Sequence, residues 1–102
     1  MEVGFRNNEV KRSCEDEKYA RKKYPDKVVN EIKLLMYKFL AISNFNEFVK
    51  NPTNKKYNVH ELQGKLKKLT TLYLNRKFRM TVKLKIEKNK IIIWEISNHY
   101  GD

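Results

Sequence analysis

The chain has 102 residues, a formal net charge of +11 and a single cysteine. This length suits one domain with one core, and we place the domain boundaries at residues 1–102. A single cysteine excludes an internal disulfide. No basic segment followed by an apolar run opens the chain, and the apolar stretches are far shorter than the roughly 20 residues of a membrane span. The sequence therefore predicts a cytoplasmic protein without a signal peptide or a membrane partner.

The positive charge is uneven along the chain. Residues 1–50 contain 11 basic and 8 acidic side chains, a net of +3, whereas residues 51–102 contain 12 and 4, a net of +8. A basic half beside a nearly balanced half indicates a polyanionic partner, most often nucleic acid. The alternative is a lysine-rich surface that is merely solvated.

The N-terminal segment predicts an edge strand and a charged helix. Residues 1–5 suit a short edge strand, and residues 8–23 suit a helix that ends before Pro25. Its inward positions are Val10, Cys14 and Ala20, with Tyr19 and Tyr24 completing that face. Asp26 then opens the next helix.

The second helix has the clearest pattern in the chain. Its apolar residues repeat at helical spacing and predict one buried face: Val28, Ile32, Leu35, Met36, Phe39 and Leu40. A short helical turn follows at 44–50, with Phe45 and Phe48 inward, and then a loop at 51–58 around Pro52.

From Leu66 onward the apolar period changes to two. One strand face is apolar (Phe78, Met80, Val82, Leu84, Ile86), and the other is polar and largely cationic (Arg79, Thr81, Lys83, Lys85). A hairpin turn is expected at Lys88-Asn89, and residues 91–96 suit a central strand covered on both sides. The fold class is therefore α+β, with two N-terminal helices packed on a small, mainly antiparallel sheet.

The basic half also contains groups suited to RNA cleavage. This reaction needs a base for the 2′-OH, an acid for the leaving oxygen and positive charge beside the phosphate. His60 and His99 are the natural acid and base, since histidine titrates near neutral pH, although an isolated histidine is often structural. Arg79 can grip a phosphate bidentately, and an ion pair with Glu95 or Glu61 is the alternative.

Further residues suit RNA binding. General phosphate contacts are expected from four cations, Lys65, Lys67, Lys68 and Arg76. Tyr73 and Tyr100 can stack on bases, and Tyr73 could equally belong to the core. The acidic residues of this half show no metal-ligand spacing, so we expect a mechanism without a metal or another cofactor.

Three segments together resemble a known family. The order VHELQG, LNRKFRMTVKL and SNHYGD resembles HigB-type toxins of the RelE/ParE superfamily of toxin–antitoxin modules. The resemblance runs from Val28 to the end and is best from Val59 to Tyr100. It implies a RelE-like, microbial-RNase-like fold and ribosome-dependent, metal-independent cleavage of mRNA. It also implies a HigA-type helix-turn-helix antitoxin as partner, with DNA bound only through that complex.

The resemblance assigns roles by position. His60 matches the family's catalytic histidine, and Asn75 and Arg79 match the Asn and Arg of its strand pattern. Asn98, His99 and Tyr100 fall where many members end in Asp-Tyr-His, so the acid is replaced here and the aromatic and histidine are exchanged.

Tyr73 is a further departure, because members often carry a basic residue at this position. The resemblance thus implies catalytic roles for His60, Arg79, His99 and Tyr100, and an RNA contact for Asn98. Two alternatives share parts of this pattern: a ParE-like toxin that poisons DNA gyrase, and an RNA-binding module without catalysis.

Overall fold

A computed structural model of the chain describes residues 1–62 and 68–98. Its described strands form a five-stranded sheet in the order β1-β5-β4-β3-β2. The strands are β1 Glu2–Phe5, β2 His60–Glu61, β3 Leu69–Tyr73, β4 Phe78–Lys85 and β5 Lys90–Asn98. Strand β1 pairs in parallel with β5, and the other pairs are antiparallel. The predicted N-terminal edge strand and mainly antiparallel sheet are confirmed.

The helices precede the sheet's hairpins along the chain, which confirms the α+β class. The α-helices are α1 Asn8–Glu15, α2 Glu17–Lys23, α3 Asp26–Ala41 and α4 Phe45–Lys50, and short 3₁₀ helices cover Pro52–Tyr57 and Ile86–Lys88. The prediction of a single helix over 8–23 was wrong. Asp16 is extended, and its side chain accepts a hydrogen bond from the Tyr19 N–H, so it ends one helix and caps the next.

Helix α3 supplies one side of the core. Its buried residues pack with those of the three longest strands: Val28, Val29, Ile32, Leu35, Phe39, Leu72, Met80, Val82, Ile91 and Ile93. The predicted stripe is confirmed except at Leu40, which is 58% exposed. Successive helical residues are about 100° apart, so Leu40 points away from the direction that Phe39 takes into the core.

The strand predictions were right in position and wrong at two points. Ile86 does not continue the alternation of β4, because the strand ends at Lys85 and the Ile86 side chain is 87% exposed. Strand β5 is central, but only its Ile91 and Ile93 side is fully covered, while Trp94 on the other side is half-buried. The described helices pack on the side of the sheet that carries Ile91 and Ile93, and the other side of β5 is less completely buried.

The segment 51–58 is more ordered than the predicted loop. Asn51 caps a 3₁₀ helix that begins at Pro52, and Tyr57 at its end is almost completely buried. Proline suits the first position of a helix because its missing N–H would have no partner there. This helix is followed closely by His60, which lies in the edge strand β2. Within residues 1–62 and 68–98, no helix has both the length and the apolar character for crossing a membrane.

Candidate nucleic-acid interface and active site

Arg79 fixes the turn that joins β3 to β4. Its Nη1 donates hydrogen bonds to the carbonyl oxygens of Asn75 (2.7 Å), Arg76 (3.2 Å) and Phe78 (3.1 Å), and the side chain is buried. The Asn75 carboxamide oxygen accepts from the N–H groups of Lys77 and Phe78, as in an Asx turn. Two side chains therefore determine the turn's geometry together.

Tyr73 lies between Arg79 and His60. Arg79 is its partner in the register of β3 and β4, and the guanidinium carbon lies 3.5 Å from the centre of the Tyr73 ring, a cation–π contact. The His60 ring meets the same tyrosine edge-on at 5.9 Å between ring centres. Tyr73 thus contacts two candidate catalytic residues, and its contact with Arg79 depends on the pairing of β3 with β4.

The His60 ring has a defined orientation. Its Nδ1 lies 2.7 Å from the carbonyl oxygen of Asn58, which can only accept, so Nδ1 carries a proton in this arrangement. Asn58 has φ 45° and ψ 54°, a left-handed conformation that asparagine tolerates better than most residues. With Nδ1 engaged, Nε2 is the ring nitrogen suited to take up a proton from a substrate.

A cleft of about 550 Å³ adjoins Arg79 and Tyr73. It is lined by Glu31, Lys56, Tyr57, Tyr73, Leu74, Asn75, Arg76 and Arg79. The cleft combines two aromatic rings, two guanidinium groups, one ammonium group and one carboxylate. The rings and the cations are groups able to contact a nucleotide's base and phosphate.

Three of the residues lining this cleft belong to α3 and the 3₁₀ helix: Glu31, Lys56 and Tyr57. The Glu31 carboxylate accepts a hydrogen bond from the Tyr57 hydroxyl and one from Lys56 Nζ, each at 2.9 Å. Burial, followed by the neighbouring Glu31, raises the pKa of the Tyr57 phenol above its ordinary value. Sequence reasoning missed these three residues, because Glu31 looks like any charged residue on an outer helix face and only the fold places it in the same cleft as Arg76.

The structure brings some of the predicted RNA contacts to this site. Arg76 is exposed at the cleft, and Lys68 is exposed just before β3. Asn98 pairs with Phe78, whereas Ser97 pairs with Arg79. Opposed residues share a face of the sheet, so Asn98 points to the other side from Arg79. Lys65, Lys67, His99 and Tyr100 lie outside the described residues.

The side of the sheet that carries Arg79 is less exposed than a solvated cationic face would be. Thr71, Arg79 and Thr81 are all buried there, while Lys85 is exposed at the far end of β4. Among the described residues, no three acidic, histidine or cysteine side chains are grouped as a metal site would require.

Comparisons with known proteins support the fold. No protein-family model matches the sequence, and the curated proteins give no match. Among solved structures, YafQ from E. coli strain BL21(DE3) aligns at a TM-score of 0.64 with 17% identity, over 96% of this chain and 92% of YafQ. A YoeB/ParE toxin from Agrobacterium tumefaciens aligns at 0.62 with 12% identity, over 98% and 100% of the two chains.

A third structure is a YoeB–YefM complex from Staphylococcus aureus. It aligns at a TM-score of 0.60 with 18% identity, over 98% of each chain. At these identities the likeness establishes the fold alone, which is that of RelE-type toxins. The chain shares this architecture along nearly its full length.

Proposed function

We propose that this protein, as one domain of residues 1–102, is the toxin of a type II toxin–antitoxin module, of the HigB type. Its activity is ribosome-dependent cleavage of mRNA in the cytoplasm, which inhibits translation. The observation that carries the proposal is the His60–Tyr73–Arg79 arrangement beside a cleft of about 550 Å³, on a fold shared with YafQ and YoeB toxins.

The proposed chemistry is acid–base catalysis without a metal. His60, through Nε2, or His99 removes the proton of the 2′-OH, whose oxygen then attacks the adjacent phosphorus. The other histidine protonates the leaving 5′-oxygen, so the products are a cyclic phosphate and a free 5′-hydroxyl. The Nδ1 hydrogen bond to Asn58 supports His60 in this role, because it holds the ring and its tautomer.

The cations have different proposed roles in binding RNA. Arg79 supplies positive charge to the developing phosphate dianion and holds the turn, and Arg76 reaches the phosphate from the exposed rim. Tyr100 orients or stacks on a base, and the segment from Lys65 to Lys68 docks on RNA. Asn98, on the other side of the sheet from Arg79, is not assigned to this site.

The proposed partner is a HigA-type helix-turn-helix antitoxin, and DNA is contacted only through that complex. The solved YoeB–YefM complex supports an antitoxin partner in general, since it pairs a toxin of this fold with another chain. A ParE-like gyrase poison is the second candidate function, because the YoeB/ParE toxin from Agrobacterium tumefaciens shares the architecture. A non-catalytic RNA-binding module is the third.

The decisive experiment is induction in bacteria with mapping of mRNA 5′ ends. His60→Asn is the sharpest variant, because the asparagine amide can still donate to the Asn58 carbonyl but cannot relay a proton. Lys18→Ala, at an exposed position on α2, is the control for general changes of the surface.

Growth arrest with new cuts in translated messages, lost in His60→Asn and retained in Lys18→Ala, is the expected result. Growth arrest without new mRNA cuts but with reduced negative supercoiling of plasmid DNA would favour the gyrase function. RNA binding without cuts or arrest would favour the non-catalytic module.

A further inference from the structure

The only tryptophan of the chain lies at a bulge in β5. Thr81 pairs with Glu95 and Val82 pairs with Ile93, so Trp94 is the extra residue between these pairs. Ile93 is fully buried in the helix-side core, whereas Trp94 is half-buried. Because successive strand residues point to opposite sides, Trp94 faces the side of the sheet that carries Arg79 and Tyr73, and the bulge places Glu95 on that side as well.

Two cations lie against this indole. The guanidinium carbon of Arg6 is 4.8 Å from the ring centre, and Lys83 Nζ is 5.5 Å from it. Arg6 follows β1 and is exposed, while Lys83 belongs to β4. Strand neighbours on either side of the tryptophan thus form an aromatic–cationic cluster that the sequence analysis did not identify.

The cluster lies on the same side of the sheet as the candidate active site. Lys83 and Arg79 are both on β4, an even number of residues apart, so their side chains share one side of the sheet. The rise of a strand places the two positions on the order of 13 Å apart. A single strand of RNA engaged at Arg79 can therefore reach Trp94 along the same face.

We infer that Trp94, with Arg6 and Lys83, is a second nucleotide-binding site that stacks a base of single-stranded RNA. This inference rests on the proposed function and extends the RNA footprint beyond the reacting phosphate. Stacking on an aromatic ring accepts any base, and neighbouring cations hold the phosphates. The exposed Glu95 carboxylate next to the ring repels a phosphate, which favours a base over the indole and phosphates at Arg6 and Lys83.

The single tryptophan makes the site directly observable. A short single-stranded RNA is titrated into the whole protein while the fluorescence emission of Trp94 is recorded. The RNA carries 2′-O-methyl groups, so it has no 2′-OH to attack the phosphate and cannot be cleaved. The anisotropy of the same RNA, labelled at its end, reports binding anywhere on the protein. Polyglutamate and a duplex of the same sequence are the comparison ligands.

We expect saturable quenching by the single strand, with little change for polyglutamate or the duplex. The double variant Arg6→Ala, Lys83→Ala should weaken binding about fivefold or more at low salt, and Lys18→Ala, Lys22→Ala should change it far less despite the same loss of charge. Trp94→Ala should lower affinity by about fivefold to a hundredfold, and Trp94→Phe should restore much of it.

The inference is overturned if the anisotropy shows binding while Trp94 emission stays constant, or if polyglutamate quenches equally. It is also overturned if the two double variants lose the same affinity. Cleavage of translated messages is measured separately with the same variants. If His60→Asn abolishes cleavage while RNA leaves the Trp94 emission unchanged, the nuclease is retained and only the second site is rejected. If RNA quenches the Trp94 emission but the wild-type protein cleaves no message, the nuclease is rejected and the second site is retained.

Discussion

The guanidinium carbon of Arg79 lies 3.5 Å from the centre of the Tyr73 ring, its partner in the adjacent strand. The same arginine donates to three carbonyl oxygens of the β3–β4 turn. Backbone carbonyls thus hold the guanidinium group over an aromatic ring that His60 also contacts. This arrangement makes the stability of the turn and the geometry of the candidate site interdependent.

Arg79→Lys should destabilise the protein although it conserves charge. A lysine ammonium lacks the planar fork that serves the turn carbonyls and stacks on Tyr73, and its burial leaves carbonyls without their donor. We expect a loss of about 1–3 kcal/mol in the free energy of unfolding, measured by urea denaturation. Arg76→Lys, at an exposed position of the same turn, is the control and should stay within about 0.5 kcal/mol of wild type.

Tyr73→Phe and Tyr73→Ala should differ clearly. Phenylalanine keeps the ring that Arg79 and His60 contact, whereas alanine removes it. We expect the alanine variant to lose about 1–2 kcal/mol of stability relative to the phenylalanine variant, together with most mRNA cleavage. Thermal unfolding and 5′-end mapping test this together. Equal behaviour of the two variants would show that the ring does not position its neighbours.

The neutral His60 ring should carry its proton on Nδ1. The reason is the 2.7 Å contact with the Asn58 carbonyl oxygen, which cannot donate. Long-range ¹H–¹⁵N NMR spectra distinguish the two tautomers, and the His99→Gln variant assigns the signals. A spectrum typical of the Nε2–H tautomer would contradict the proposed proton-accepting role of Nε2.

Tyr57 should make stability fall at high pH. Its pKa is raised by burial and then by Glu31, so the folded state holds the phenol proton more tightly than the unfolded state does. The stabilisation is fully present below the phenol's unfolded pKa of about 10 and is lost as pH rises above it. Urea unfolding of wild type and Tyr57→Phe, compared from pH 8 upward, should show the steeper decline in wild type. Parallel curves would contradict the assignment.

Cys14 should react slowly in the folded protein. Burial, with a smaller effect of Glu15, raises the pKa of its thiol to about 12, and the thiolate is the reactive form. At pH 8 we expect reaction with a disulfide reagent to be roughly a hundredfold slower than in urea. A free-cysteine peptide containing residues 11–17 is the matched control. Equal rates in the folded and unfolded protein would refute the burial argument.

Much of the fold could be predicted from local pattern. The stripe of α3 and the alternation of β4 are repeated signals, and each is produced by one buried face. The errors occurred where a single residue changes the chain's direction. Asp16 splits the first helix through a side-chain hydrogen bond, and Ile86 starts a turn although its apolar side chain continues the strand pattern.

Residue type and spacing were enough to predict α3, the main strands, the basic C-terminal half and the candidate residues His60, Arg79 and Arg76. How these residues meet follows from the tertiary structure. Strand register placed Arg79 on Tyr73, a left-handed Asn58 oriented His60, and the packing of α3 brought Glu31 to the same cleft. These contacts join residues far apart in the chain, and their geometry depends on packing and strand pairing, which no local spacing specifies.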